Sequence, residues 1–165
     1  MEDPMTIAPK LRHYLDRQNA IYEVVEHPPT VSAMQSAAAA HVPPSCLAKA
    51  VLVDLPDNEH LLAVLSADRR IDLDDLRTEL DEKPRLAGQD EIVQIFDDCA
   101  PGAVPPLGFD YGVEMIVDDG LAREPDVFFE AGDHRSLVHM EQKEFRRLTR
   151  IARHGSFGMP LALIE

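Results

Sequence analysis

Apolar positions along the chain change their period several times, and each change marks an element. Ile7, Leu11, Tyr14 and Leu15 recur at helical spacing and predict an amphipathic helix over residues 6–18. Ile21-Tyr22-Glu23-Val24-Val25 reads as a short strand stopped by His27-Pro28-Pro29. Ser32 and Gln35, three apart, have the form of a capping box and open an alanine-rich helix to about Ala40. Seven of the eight residues in Cys46–Val53 are apolar, and the run Val51 to Val53 is rich in β-branched residues, so this short stretch predicts a buried strand. Asp57-Asn58-Glu59 then predicts a hairpin loop into a second strand, His60–Ser66. Asp72 is placed to cap a helix over residues 73–81 that carries Leu73, Leu76 and Leu80 on one face. Ile92, Ile95 and Phe96 predict a second helix from Asp90 to Phe96.

Pro101 to Gly108 is too rich in proline and glycine for either regular element. Val113–Val117, Val127–Glu130 and Ser136–Met140 read as strands, and Phe145 and Leu148 mark a last helix over about 141–152. The tail after Gly155 is weakly patterned. Strands and helices are interspersed irregularly, with no internal repeat and no linker. This predicts a single α+β domain over residues 1–165, built on a mixed, curved sheet.

Composition narrows the class. The 165 residues are 45% hydrophobic, enough for a real core. No apolar run approaches the roughly 20 residues that span a bilayer. Met1-Glu2-Asp3-Pro4 lacks the basic start and apolar core of a signal peptide. Two cysteines, Cys46 and Cys99, make neither a disulfide framework nor a zinc site. A cytoplasmic protein with no membrane partner is expected. The net charge of −14 argues against DNA or any other polyanion over most of the surface. It is unevenly spread, however. Residues 143–165 hold Lys143, Arg146, Arg147, Arg150 and Arg153 against Glu144 and Glu165, a local +3 that leaves −17 for the remainder. On the expected helix, Lys143, Arg146, Arg147 and Arg150 fall at i, i+3, i+4 and i+7, and Arg153 continues the stripe. This stripe is where phosphate contacts should concentrate. The alternative is a solvated face near the helix C-terminus, where basic residues suit the dipole.

Two stretches carry candidate chemistry. Lys49 is the one charge in the apolar Cys46–Val53 strand. It either blocks aggregation at a sheet edge or sits beside groups that need a cation, the setting in which lysine recurs in catalytic sites. Gly102-Ala103-Val104-Pro105-Pro106 is a Gly-x-x-x-Pro segment. Its glycine allows close approach to the backbone and its prolines fix the exposed peptide groups, as a developing oxyanion requires. Alone it would read as a structural loop. Cys46 could act as a nucleophile activated by Lys49, although a small buried thiol is the plainer reading. Seven histidines form no metal-ligand motif, so neither metal nor cofactor is expected.

These pieces, in this order, resemble the YbaK/ProX family of aminoacyl-tRNA deacylases, related to the editing insertion of bacterial prolyl-tRNA synthetases. The matching segments are Glu26-His27-Pro28-Pro29-Thr30, Val42-Pro43-Pro44 through Val53, Pro101 through Gly108, and Phe128-Phe129-Glu130-Ala131-Gly132 followed by Leu137-Val138-His139-Met140. The resemblance implies a barrel-like sheet of mixed strands flanked by helices, and metal-independent, substrate-assisted hydrolysis of the ester joining a wrong amino acid to its tRNA. It implies that Lys49 is the functional lysine, and that Gly102 and Pro106 belong to the motif presenting backbone groups to the ester. Tyr22 and His27 are implied to lie near the mouth of the pocket, and Gly132 is a further implied substrate-binding residue. Aminoacyl-tRNA is the implied partner, with an aminoacyl-tRNA synthetase as a further one. Glu130 stands where some relatives carry a small polar residue, and Val138-His139 replaces an aspartate, so the resemblance reaches further for the fold than for the amino acid removed. The competing reading is a non-catalytic module of the same fold that grips tRNA ends or a synthetase.

Overall fold

The computed structural model describes residues 7–161. Helix α1, Pro9–Arg17, begins at a proline, which the first turn of a helix tolerates because its N–H would lack an intrahelical partner anyway. Its buried stripe is Leu11, Tyr14 and Leu15. Strand β1 is Glu23–Glu26 and helix α2 is Ala33–Ala39. The Ser32 side chain caps α2 by accepting from the Gln35 N–H at 3.2 Å, and Gln35 reaches back to the Val31 N–H at 3.0 Å. Strands β2, Leu47–Leu55, and β3, Glu59–Ser66, form a hairpin in register from Leu55↔Glu59 to Ala48↔Ser66. Their turn holds Asp57 and Asn58 in the left-handed region that short polar residues tolerate.

Strand β4, Arg69–Ile71, leads to α3, Leu73–Leu80, whose cap Asp72 accepts from the Asp74 and Asp75 N–H groups at 3.0 Å each. Leu76 and Leu80 are buried beneath α3, whereas Leu73, expected on the same face, is exposed. The next elements are β5, Arg85–Leu86, and α4, Gln89–Ile95. After the Pro101–Gly108 loop come β6, Glu114–Asp118, β7, Asp126–Glu130, and β8, Ser136–Glu141. Helix α5 is Gln142–Leu148, followed by β9, Arg153–Gly155, and β10, Gly158–Pro160.

The expected α+β class is what the chain adopts. Its main sheet has eight strands in the order β1-β8-β7-β2-β3-β6-β9, with β5 pairing the far end of β2. The pairs β2–β7, β3–β6 and β6–β9 are parallel, and the others in this sheet are antiparallel. Strands β4 and β10 form a separate ribbon. Alternation along β2 sends Ala48 and Leu52 into one core, with Leu62, Val64, Phe129 and residues of α1, α4 and α5. Leu47 faces the other way, into a cluster with Ala37 of α2, and Val53 joins a third cluster with Leu76 and Leu80 of α3.

The last helix is shorter than its sequence pattern suggests. It stops at Leu148 because Thr149 turns back on it, its hydroxyl donating to the Phe145 carbonyl at 2.8 Å. Arg150 therefore stands in the following turn, and Arg153 opens β9. The continuous helical stripe expected from 143 to 153 is broken after Arg147.

Candidate active site

Lys49 projects from the face of β2 that also carries Leu47 and Val51. It stands between the cluster roofed by α2 and the cluster roofed by α3. Strand β2 pairs with β3 along its length, Lys49 opposite Leu65; on its other side β7 pairs Leu47 and Ala48 and β5 pairs Val53 and Asp54, so Lys49 lies beside the gap between those two partners. It is half-buried, and among the described residues it has no hydrogen bond or ion pair. Burial pulls its pKa below that of an ordinary lysine, opposed by the charge of Asp68 in the turn after β3. An unpaired, partly desolvated ammonium in the middle of a sheet costs stability and is poised to meet an anion or a carbonyl.

Gly102 occupies an exposed turn with φ +81, a conformation that disfavours any side chain. A Cβ there would also lie 3.2 Å from the His134 ring and 3.4 Å from the Val31 carbonyl. The ring is pinned beneath the turn because its Nε2 donates to the Pro101 carbonyl. Gly132, φ +118, approaches Ala8 so closely that a Cβ would fall 2.8 Å from the Ala8 methyl. Its carbonyl accepts from the Ala100 N–H at 2.7 Å, which ties the β7–β8 turn to the Gly102 loop. Within that loop Ala103 donates to Ala100 at 3.0 Å, while the N–H groups of Gly102 and Val104 have no acceptor among the described residues. Pro106 is buried, so the two ends of the Gly-x-x-x-Pro segment differ: one is at the surface, the other anchors the loop.

His27 joins this cluster. Its N–H donates to the Arg135 carbonyl at 2.9 Å, its Nδ1 lies 2.8 Å from the Pro28 carbonyl, and the ring is buried. Tyr22 does not; it packs against the core on the α1 side of the sheet. Three neighbours carry chemistry to which the sequence pattern gave no role. Glu130, at the end of β7, is 3% exposed and accepts from the Ser36 hydroxyl of α2. His134 Nδ1 lies 3.9 Å from Glu130 Oε2. Burial pushes the Glu130 carboxyl up, and the Ser36 hydrogen bond and the neighbouring His134 and His27 oppose that rise. The available signal was the crowding of Glu130, Gly132, Asp133 and His134 into one turn after an apolar strand.

Cys46 is a buried thiol whose Sγ donates to Glu124 Oε1 at 3.4 Å, and burial pushes its pKa up to about 11. Such a thiol is scarcely ionised near neutrality and is a poor nucleophile. Among the described residues one group has metal-like geometry: Asp54, His60 and Glu91 place ligand atoms within 4.8 Å of one another at the far end of β2. Asp54 is already engaged there by His60 at 2.9 Å and Arg85 at 3.3 Å. This is a charge network on the far side of β2 from Lys49.

The basic residues are exposed but unequal. Arg147 donates to both Glu144 oxygens at 2.9 Å and to the Gln18 carbonyl at 2.9 Å, clamping α5 to the end of α1. Lys143 pairs with Glu141 at 3.5 Å, and Arg153 reaches the Glu79 carbonyl at 3.4 Å. Arg146 and Arg150 have no such partner among the described residues.

Residues 27–148 match the aminoacyl-tRNA editing domain. The chain belongs to that family. Among curated proteins it is similar to the multifunctional Ser/Thr-tRNA deacylase ProXp-y of Escherichia coli strain K12, 29% identical over 93 residues. That alignment spans 55% of this chain and 55% of the relative. A solved structure described as a candidate trans-editing enzyme for prolyl-tRNA synthetase superposes with a TM-score of 0.80 at 23% identity, covering 96% of this chain and 99% of that one. A signal-transduction protein from Marinobacter aquaeolei VT8, so described provisionally, superposes with a TM-score of 0.76 at 22% identity, covering 99% of this chain but 32% of that one. At these identities the structures speak for the fold. Lys49 and the Gly102 loop both lie inside the matched span. No helix among the described residues is long and apolar enough to cross a membrane.

Proposed function

We propose that this protein is an editing hydrolase that removes a wrong amino acid from tRNA by ester hydrolysis. The observation that carries the reading is the presence, within an aminoacyl-tRNA editing domain, of both a Lys49 without a partner among the described residues and a Gly102 turn whose amides are unspent. In this reading water attacks the ester carbonyl, and the N–H groups of Gly102 and Val104 receive the developing oxyanion. Lys49 holds or polarises the ester end of the substrate. The ribose hydroxyl beside the ester helps activate the water, and the acyl–oxygen bond breaks with the proton passing to the departing ribose oxygen. The tRNA body is met by the exposed cations Lys143, Arg146, Arg150 and Arg153, with Arg147 chiefly holding α5 in place. Substrate meets the protein in the cytoplasm, alone or delivered by a synthetase.

The name of the ProXp-y relative makes seryl and threonyl esters the first substrates to test, alongside alanyl and cysteinyl esters. Purified protein is incubated with each mischarged tRNA, and acid-precipitable amino acid is followed over time. Cleavage of at least one ester well above its spontaneous rate is expected; spontaneous rates throughout would refute the reading. The second reading, a non-catalytic module, is favoured by the fold's presence as about a third of a longer protein described in terms of signal transduction. It predicts tRNA or synthetase binding with no hydrolysis in the same assay.

A further inference from the structure

Beneath the Gly102 turn lies a cluster of buried polar atoms in which donors and acceptors do not balance. Ser36 Oγ donates to Glu130 Oε2, and Thr30 Oγ1 is held between Ser36 Oγ at 2.6 Å and the His134 carbonyl at 3.5 Å, so both hydroxyl protons have acceptors at hand. A carbonyl can only accept, so the ring nitrogens facing Pro28 and Pro101, His27 Nδ1 and His134 Nε2, carry protons. In the neutral rings the opposite nitrogens are then acceptors. Those nitrogens, His27 Nε2 and His134 Nδ1, and the second carboxylate oxygen, Glu130 Oε1, are each buried with no partner. His27, Glu130 and His134 are all at least nine-tenths buried. Orphaned acceptors are rare in folded proteins because each forfeits its hydration without compensation.

We propose that this cluster is a subsite for an ammonium group, and that Glu130 is its anionic anchor. The proposal rests on the editing reading above and assigns the group received: the α-ammonium of the aminoacyl moiety whose ester reacts at the Gly102 turn. Three features favour an ammonium over other occupants. It brings three N–H donors where three acceptors lack one, whereas water brings two. Its charge compensates a carboxylate held in a desolvated site. The gap of 3.9 Å between Glu130 Oε2 and His134 Nδ1 is too wide for a direct hydrogen bond but suits one donor atom shared between them. Pro101 and Gly102, which meet the His134 ring, and Val31 beside them are exposed. Val31 is 75% exposed, and its carbonyl borders the Gly102 turn.

The test uses two stable analogues of a charged tRNA end: 3′-(L-serylamino)-3′-deoxyadenosine, and its des-amino counterpart bearing a 3-hydroxypropanoyl amide. Affinities are measured by calorimetry on the full chain and on Glu130→Gln and His27→Gln, each first shown to be folded by thermal melting. The native protein is expected to prefer the amino compound by about tenfold or more, as for hydrogen bonds to a charged group. That preference should collapse to within about threefold in Glu130→Gln and shrink in His27→Gln, while affinity for the des-amino compound holds. Equal affinity of the native protein for the two compounds would overturn the proposal, as would an undiminished preference in folded Glu130→Gln. Those results leave the editing reading standing if mischarged tRNA is still cleaved. Failure to bind either compound, with no tRNA cleaved, overturns the editing reading and the ammonium subsite with it.

Discussion

Replacing Lys49 by methionine should make the protein more stable and, as an editing enzyme, nearly inactive. Methionine keeps the unbranched stem and removes the ammonium. The native ammonium is half-buried without a partner, so its removal relieves a desolvation cost, while Asp68 loses a favourable charge nearby. The balance should stabilise by about 0.5–2 kcal/mol, within the range for relieving a poorly compensated polar group. For a chain of 165 residues this raises Tm by a few degrees, at about 2–4 °C per kcal/mol. The sign with pH follows from the depressed pKa. The folded state carries the cost while Lys49 is charged, so the native protein gains stability as pH rises through the folded pKa, and the gap to the variant narrows in alkali. Activity runs the other way. Losing one electrostatic contact to a transition state costs about 10²–10³ in rate, and native turnover should fall at a lower pH than the titration of an ordinary lysine. Calorimetric melting from pH 7 to 10, paired with single-turnover deacylation, reads both effects. Unchanged turnover in the variant, or a clearly lower Tm, would refute the reasoning.

Cys46→Ala should keep most of the deacylase activity, and the native thiol should react slowly with an alkylating reagent at pH 8, since burial pushes its pKa up to about 11; a folded but inactive variant would restore the thiol as nucleophile. Gly102→Ala should lose about 1–2 kcal/mol from its positive φ alone, read by denaturant titration, and most activity as the His134 ring is displaced; a native-like variant would show that the turn accommodates a side chain. Charge reversal of Arg146 and Arg150 together should weaken tRNA binding and flatten its salt dependence without lowering Tm, whereas Arg147→Ala should lower Tm because its clamp on Glu144 and Gln18 is lost. Identical melting of the two variants would contradict that division of labour.

The fold was legible wherever the hydrophobic period was strong. The strands through Lys49 and through His60–Ser66, and the Asp72-capped helix, lie within a residue or two of their expected bounds. Strands β4, β5, β9 and β10 are two or three residues long and exist because a distant segment pairs with them, which no local pattern encodes. The final helix was overextended because Arg150 and Arg153 keep the spacing although Thr149 has ended the turn. At the site, Lys49 and Gly102 stood out as a charge in an apolar strand and a glycine among prolines. Ser36 and His134 did not, and Glu130 did so only as a departure from relatives, because each is ordinary in its own segment. Their significance comes from burial against one another across residues 36 to 134. Tyr22 and His27, five residues apart, end in different surroundings: Tyr22 packs against the core that holds α1, and His27 is hydrogen-bonded to Arg135 in the β7–β8 turn.

Strand β3 has a consequence for handling the protein. Leu61–Ser66 is a six-residue run, uncharged and free of proline, that is wholly buried between β2 and β6. In the unfolded chain the same run is a strong template for intermolecular strand pairing. It is bracketed by Glu59-His60 on one side and Asp68-Arg69-Arg70 on the other, charges that act as gatekeepers against stacking of identical segments. Refolding yield should therefore fall with protein concentration, and faster when those flanking charges are neutralised, even where the native state is unaltered.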